Sequence, residues 1–386
     1  MEVLTKVKSN ITKPNATFLL DYPSVKSYSS GMDSLRGILA IWVMVAHLSI
    51  WGGVANQQIW DWLLWFMKGL NLIFQPIGET HPAVVGFIVL SGYCIHRNGA
   101  RRDGFNIWKY GMRRAFRIVP TYLLASAVGV AVFVYFTNID LHTSQSITGT
   151  SRIRWDGLLV KLLGISAFIP NLHYFGFQGN APLTTVMVEI WLYVFYAITM
   201  RWLISGVHEE TLWKVIFVIW AIGLVIVGVY TKYYSWWNNG SFIAFLPYWW
   251  LGAVAVNKSN FRLLPNWKVM VLIYLLLTLG MISGVMHGTA QFLLGEFRKI
   301  ILAVLFAYGI AYIDDARGYV IDWSAKLGKS SYSIYAYHAP ILVMALILGL
   351  PWWLAPCLVL IVAVILNLVF EAPLTVMGKK LSLRIN

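Results

Sequence analysis

Asp33-Ser-Leu-Arg-Gly-Ile-Leu-Ala-Ile-Trp-Val-Met-Val-Ala-His-Leu-Ser-Ile-Trp51 decides the fold. After Arg36 the only ionisable side chain in it is His47. A helix needs roughly 17–25 predominantly apolar residues to cross a bilayer. The stretch therefore reads as a membrane span over 36–52, with an arginine at one end and a histidine deep inside.

The same reading extends along the chain. Apolar stretches at 118–136, 186–204, 213–231, 242–256, 269–286, 297–313, 331–349 and 352–371 each have the length to cross. Residues 82–96 are short and follow Pro82, but the basic run after them demands a crossing. The stretch 157–170, interrupted by Lys161, reads as a re-entrant or interfacial piece. The expected fold is all-α: a polytopic membrane bundle of about ten helices with both termini cytoplasmic. Residues 1–30 would form a cytoplasmic segment, 31–375 the membrane domain and 376–386 a cytoplasmic tail.

Composition agrees. Hydrophobic residues make up 59% of the chain and charged residues 12%, against about 25% charged in a soluble domain. The excess of 30 Lys+Arg over 16 Asp+Glu is topogenic, because positive loops stay on the cytoplasmic side; it does not call for nucleic acid. In this topology only Lys68, Arg152, Arg154, Lys161, Lys232, Arg298 and Lys299 of those positive residues fall outside. The polar opening argues against a cleavable signal peptide. Asn10-Ile-Thr and Asn15-Ala-Thr match a glycosylation pattern, but on the cytoplasmic side they are chance. Cys94 and Cys357 both lie in apolar stretches and form no disulfide framework. Two outer loops, 53–80 and 137–185, mix Trp with Asn, Gln, Gly and His, which suits either sugars or an interfacial aromatic belt.

Ionisable residues inside a span are costly, so they are functional candidates. Eleven residues separate Arg36 from His47; at about 100° each the net offset is near 20°, so both share one helix face, roughly 16 Å apart. An arginine at the mouth and an imidazole below it in one groove suit an anionic donor with a long thin arm, such as acyl-coenzyme A. His47 could then take a proton from an incoming hydroxyl. The bland alternative is a histidine bonded to a neighbouring helix and an arginine snorkelling to headgroups. Arg113, Arg114 and Arg117, where the basic loop 97–117 meets the membrane, are candidates to join Arg36 around phosphates. Glu189, in the next apolar helix but one, would orient an imidazole or hold an acceptor, unless it is only a helix N-terminal acid. His338 would be a second site histidine, or would satisfy a carbonyl freed by Pro340. No metal is expected. A transporter or flippase of lipid-linked sugar, with His47 and Glu189 as a proton relay, competes with the enzymatic reading, though no internal repeat of the transporter kind is visible.

Five segments together resemble acyltransferase family three, the bacterial membrane O-acyltransferases. They are Asp33-Ser-Leu-Arg-Gly-Ile-Leu-Ala-Ile with His47; Phe87-Ile-Val-Leu-Ser-Gly-Tyr93; Arg113-Arg-Ala-Phe-Arg-Ile-Val-Pro-Thr-Tyr122; Gly328-Lys-Ser-Ser-Tyr-Ser-Ile-Tyr-Ala-Tyr-His338; and Phe370-Glu-Ala-Pro373. They run in order from residue 31 to about 375. Where the family commonly has Trp-Ser-Leu before its acid, Thr184-Thr-Val-Met-Val188 precedes Glu189 here. The resemblance implies an acyl-coenzyme A donor, most often acetyl, and a glycan or lipid-linked saccharide acceptor. It also implies that Arg36 and His47 are the essential pair and that the protein sits in the bacterial inner membrane. Oligomeric state is not readable.

Overall fold

The computed structural model describes residues 29–54, 60–74, 80–99, 105–137, 155–172, 179–257, 266–314 and 319–385. Among these every regular element is a helix. In order they are α1 (Ser30–Val54), α2 (Asp61–Phe74), α3 (Pro82–Gly99), α4 (Ile107–Thr137) and α5 (Trp155–Leu162). Then come α6 (Leu183–Ile204), α7 (Glu209–Val229), α8 (Tyr234–Gly240), α9 (Phe242–Ala255) and α10 (Trp267–Ile282). The last five are α11 (Gly288–Ile313), α12 (Tyr319–Lys329), α13 (Ser331–Ile347), α14 (Leu354–Leu366) and α15 (Ala372–Leu383).

Five segments are long and apolar enough to cross a membrane: Ser30–Ser49, Ile107–Tyr135, Leu183–Ile204, Glu210–Val229 and Leu354–Leu383. Pro82–Arg97, Trp267–Ile282 and Ser331–Ile347 are shorter apolar helices. The outward faces carry large apolar side chains such as Val225, Val229, Leu279 and Val369. Water would not tolerate so much exposed hydrocarbon, and lipid does. The chain is a helical membrane protein.

Backbone contact holds the centre of the bundle together. A Cβ on Gly92 of α3 would collide with the Trp249 carbonyl of α9, and one on Gly252 of α9 with the Val89 carbonyl of α3. Two glycines facing each other's backbones let these helices cross closer than any side chain permits, the usual means of packing helices in lipid. Around that crossing lie Tyr93, Tyr196, Tyr248, Trp249 and Trp250, all fully buried.

Two prolines shape the site. Pro340, inside α13, cannot donate to the Ala336 carbonyl one turn back; Asn180 Nδ2 donates to that carbonyl at 2.9 Å instead. Pro373 follows a π turn, Asn367–Glu371, between α14 and α15. Widened turns of this kind relieve a break in the helix ladder. Here the widening leaves Glu371 buried against α13, accepting from Ser333 Oγ at 2.6 Å.

The differences from the sequence reading fall on charged and amphipathic pieces. Helix α4 begins at Ile107, so Arg113, Arg114 and Arg117 already lie on a helix rather than in a loop. Helix α2 occupies part of the stretch read as the loop 53–80. Arg298 and Lys299, counted as outside at the edge of the stretch 297–313, are buried within α11, which starts at Gly288. Lys161 is buried on the short α5. The two asparagine patterns, residues 138–154 and most of 1–30 lie outside the described residues.

Candidate functional site

The site is built where α1, α3, α4, α6 and α13 converge. Arg36 of α1, Arg117 of α4 and Glu189 of α6 line one cavity of about 80 Å³ with Phe87, Thr185 and Tyr332. A water occupies about 30 Å³ of liquid, so this space suits a thin arm or a single phosphoryl group and not a whole nucleotide. Arg36 pairs with Asp33 at 2.6 Å, one turn back on its own helix. Arg117 lies within electrostatic range of Arg36, Arg114 and Glu371. Several guanidinium groups converging out of water repel one another unless an anion lies between them.

Glu189 sits two turns into α6, well past the helix terminus where a dipole argument would apply. Ser91 Oγ donates to its carboxylate at 2.6 Å, and the Tyr193 hydroxyl one turn along donates to the same oxygen. Among the described residues no imidazole is one of its hydrogen-bond partners. The Trp249 indole N–H reaches Ser91 Oγ at 3.4 Å, so α3, α6 and α9 all bear on the carboxylate. Of the other basic residues, Arg114 lies over the Tyr110 and Tyr193 rings, 5.7 Å from each centroid, beside the cavity. Arg113 is turned away, its Nε donating to Ser382 Oγ of α15 at 2.8 Å.

His47 meets His338, which is 291 residues distant in sequence. Nδ1 of His47 and Nε2 of His338 lie 2.9 Å apart, with the rings nearly parallel. His338 Nδ1 contacts the Tyr335 carbonyl at 2.7 Å. A carbonyl only accepts, so that nitrogen carries the proton, and in the neutral ring His338 Nε2 must accept. His47 Nδ1 is then the donor; the Val43 carbonyl one turn back also hydrogen-bonds the His47 ring, and with both contacts on Nδ1–H the lone pair resides on Nε2. The carbonyl that Pro340 leaves without its helical donor is Ala336, not the one that His338 contacts. Arg36 and His47 share a helix face but are not in contact: Arg36 opens into the cavity and His47 lies further along α1.

Several residues here were missed. Ser91 and Glu371 lie inside quoted motifs but carry no charge, or sit at an expected helix end, so a search for intramembrane ions passes over them. His81, just before α3, packs edge-on against Trp42 with 5.5 Å between centroids. Burial lowers its pKa to about 4, so it is neutral at physiological pH. Arg97 forms a buried ion pair with Asp314 at 3.1 Å, and the Tyr93 hydroxyl donates to the same carboxylate oxygen. Among the described residues no group of His, Cys, Asp and Glu has the arrangement of a metal site.

A family model described as an acyltransferase domain matches residues 29–372. No curated protein and no solved structure matches the chain.

Proposed function

The chain belongs to this acyltransferase family, and on that premise we propose that it transfers an acyl group, acetyl foremost, from cytoplasmic acyl-coenzyme A to a sugar hydroxyl. The acceptor would be an extracytoplasmic or lipid-linked glycan, and the protein would work in the bacterial inner membrane. The observation that carries this reading is the placing of Arg36 and Arg117 on one buried cavity at the end of the helix that bears His47. Guanidinium forks suit phosphate oxygens. The nucleotide would stay at the mouth, held by Arg36 and Arg117 with Arg114 beside them, while the pantetheine arm runs inward. Arg113 would contribute charge at the mouth rather than a direct contact.

In the chemical step the sugar oxygen attacks the thioester carbonyl as His47 Nε2 takes the hydroxyl proton. The C–S bond breaks, and the departing coenzyme A sulfur takes that proton and leaves as the thiol. His338 Nε2 accepts from His47 Nδ1–H throughout and stabilises the imidazolium that forms. Glu189, held by Ser91 and Tyr193, would fix the inner wall of the donor path.

His47→Ala should cut transfer by about 10²–10⁴ with insertion unaltered; unchanged glycan acylation in a strain carrying it would remove the central claim. Arg36→Ala should weaken coenzyme A binding, and Arg36→Lys should restore little, because an ammonium lacks the planar fork. Calorimetry giving equal coenzyme A affinity for wild type and Arg36→Ala would count against the donor site.

A further inference from the structure

A second polar cavity lies at the other end of the bundle. Ile313, at the C-terminus of α11, packs against the backbone of Gly31 at the start of α1. Glu296 lies seventeen residues earlier on that helix, about 25 Å away along its axis. There a cavity of about 300 Å³ opens between α8, the end of α10 and the first turns of α11.

Its walls form a built network. Glu296 and Lys299 are ion-paired one turn apart, and both side chains are buried, at 1% and 3% exposure. Lys299 Nζ also donates to Asn238 Oδ1 at 2.6 Å, and the Tyr248 hydroxyl donates to Glu296 Oε2 at 3.0 Å. A buried ion pair is often no more stabilising than apolar residues of the same volume. In an apolar bundle such a pair calls for a use.

The remaining walls indicate what that use is. The Tyr234 and Phe292 rings stack at 4.2 Å and present an aromatic surface. Gly288 and Gly295 leave the α11 backbone uncovered there, and Gln291 adds an amide with no hydrogen-bond partner among the described residues. Carboxylate and ammonium cancel, so the cavity has no net charge to offer a phosphate or carboxylate. Arg298 does not restore one: its Nη1 and Nη2 donate to the Ile73 and Phe74 carbonyls, capping α2. A neutral ligand rich in hydroxyls with one apolar face meets every group present. The volume lies at the lower end of the roughly 300–1,000 Å³ of small-molecule pockets, which suits one sugar ring rather than a chain.

We propose that this cavity is a carbohydrate subsite that holds one uncharged pyranose of the acceptor. As an acceptor subsite it rests on the acyltransferase reading; as a sugar site it does not. The network reaches the first helix: the Thr80 hydroxyl donates to the Asn238 carbonyl, and the next residue, His81, packs on Trp42 of α1. A ring seated at Asn238 is thereby registered against the helix that carries His47.

The test uses the purified full-length protein in lipid nanodiscs, with methyl glycosides of glucose, galactose and mannose as probes for saturation-transfer NMR. At least one glycoside should bind, and Gln291→Ala and Tyr234→Ala should each weaken it by tenfold or more. Glucose 1-phosphate should bind no better than the neutral glycoside. If Tyr234→Ala does not fold, Gln291→Ala alone decides, since that amide holds no other hydrogen bond among the described residues. Coenzyme A affinity is measured on the same samples. Protein that binds coenzyme A but no glycoside, or binds glycosides equally in wild type and Gln291→Ala, overturns the subsite. So does a preference for the sugar phosphate. Glycoside binding that depends on Gln291 supports the subsite even where coenzyme A fails to bind; only the acyltransferase reading then falls.

Discussion

At the scale of single residues, the His47–His338 pair limits what sequence can tell. Both histidines stand out as ionisable groups in apolar helices, but nothing in the sequence says that rings 291 positions apart meet. The direction of the hydrogen bonds gives a graded prediction. His338→Leu removes the acceptor for His47 Nδ1–H and should lower kcat by about 10–100-fold with little change in the donor KM. His338→Gln keeps an acceptor oxygen and should recover much of that loss. Equal rates for the two variants would mean that His338 only fills space. Lys161 gives a second, independent prediction. It lies on α5, 1% exposed, and burial lowers its pKa from 10.5 to about 8. The unfolded chain then holds a proton that the folded chain gives up between pH 8 and 10.5. This residue's contribution to stability therefore rises across that window and is lowest below pH 8. Lys161→Met should be more stable than wild type at pH 7, by on the order of 3 kcal/mol, with the gap closing by about pH 10.5. A gap in thermal midpoint that is constant from pH 7 to 10.5 would show that Lys161 keeps its charge without penalty.

At the scale of elements, the apolar stretches at 36–52, 186–204 and 331–349 became α1, α6 and α13, because hydrophobicity over a bilayer's thickness is a local property. Helix α2 was missed because it is 14 residues long, with Trp62, Trp65 and Phe66 exposed. A search for spans does not see a helix of that kind. The first turns of α11 were missed for the opposite reason: the span was read only from 297, with Arg298 and Lys299 counted as outside, yet the charges of Glu296, Arg298 and Lys299 are satisfied inside the bundle by each other and by the α2 carbonyls. Sequence cannot show such pairing, since one partner set lies more than 220 residues away. The Ser-Gly-Tyr motif was legible as a motif but not as a crossing. Its glycine faces the α9 backbone, while its serine turns to Glu189. Gly252→Ala places a methyl on the Val89 carbonyl, where neither helix backbone can yield cheaply. It should cost about 1–3 kcal/mol and, by tilting α3, move Ser91 off Glu189. A variant with wild-type thermal midpoint and activity would show that the two helices have room to part.

At the scale of the whole molecule, the burial of Arg298 and Lys299 sharpens the sidedness argument. Once these two are inside the bundle, the end that carries α2 and α8 keeps Lys68 and Lys232 exposed. The end that carries the start of α1 gathers Arg36, Arg97 and the α4 arginines, with exposed Lys326, Lys329, Lys379 and Lys380. Helix α12 belongs to that end, because Ser324 Oγ meets Ser34 Oγ at 2.6 Å. Helix α15 belongs there too, through Ser382 and Arg113. The positive-inside rule then predicts that the Arg36 end faces the cytoplasm, with the His47 pair between the proposed donor cavity and the end proposed to hold the sugar. Trans-bilayer transfer requires this orientation, and cysteine labelling in intact cells tests it. Cys357 is exposed on the apolar face of α14 and is first replaced by alanine; Cys94 is buried. Lys68→Cys and Lys232→Cys should react with an impermeant thiol reagent added from outside. Lys326→Cys and Lys380→Cys should react only once the membrane is opened. The opposite pattern, with Lys326→Cys labelled on intact cells and Lys68→Cys protected, would put Arg36 and its cavity outside, where no acyl-coenzyme A is supplied, and transfer across the bilayer would have to be abandoned.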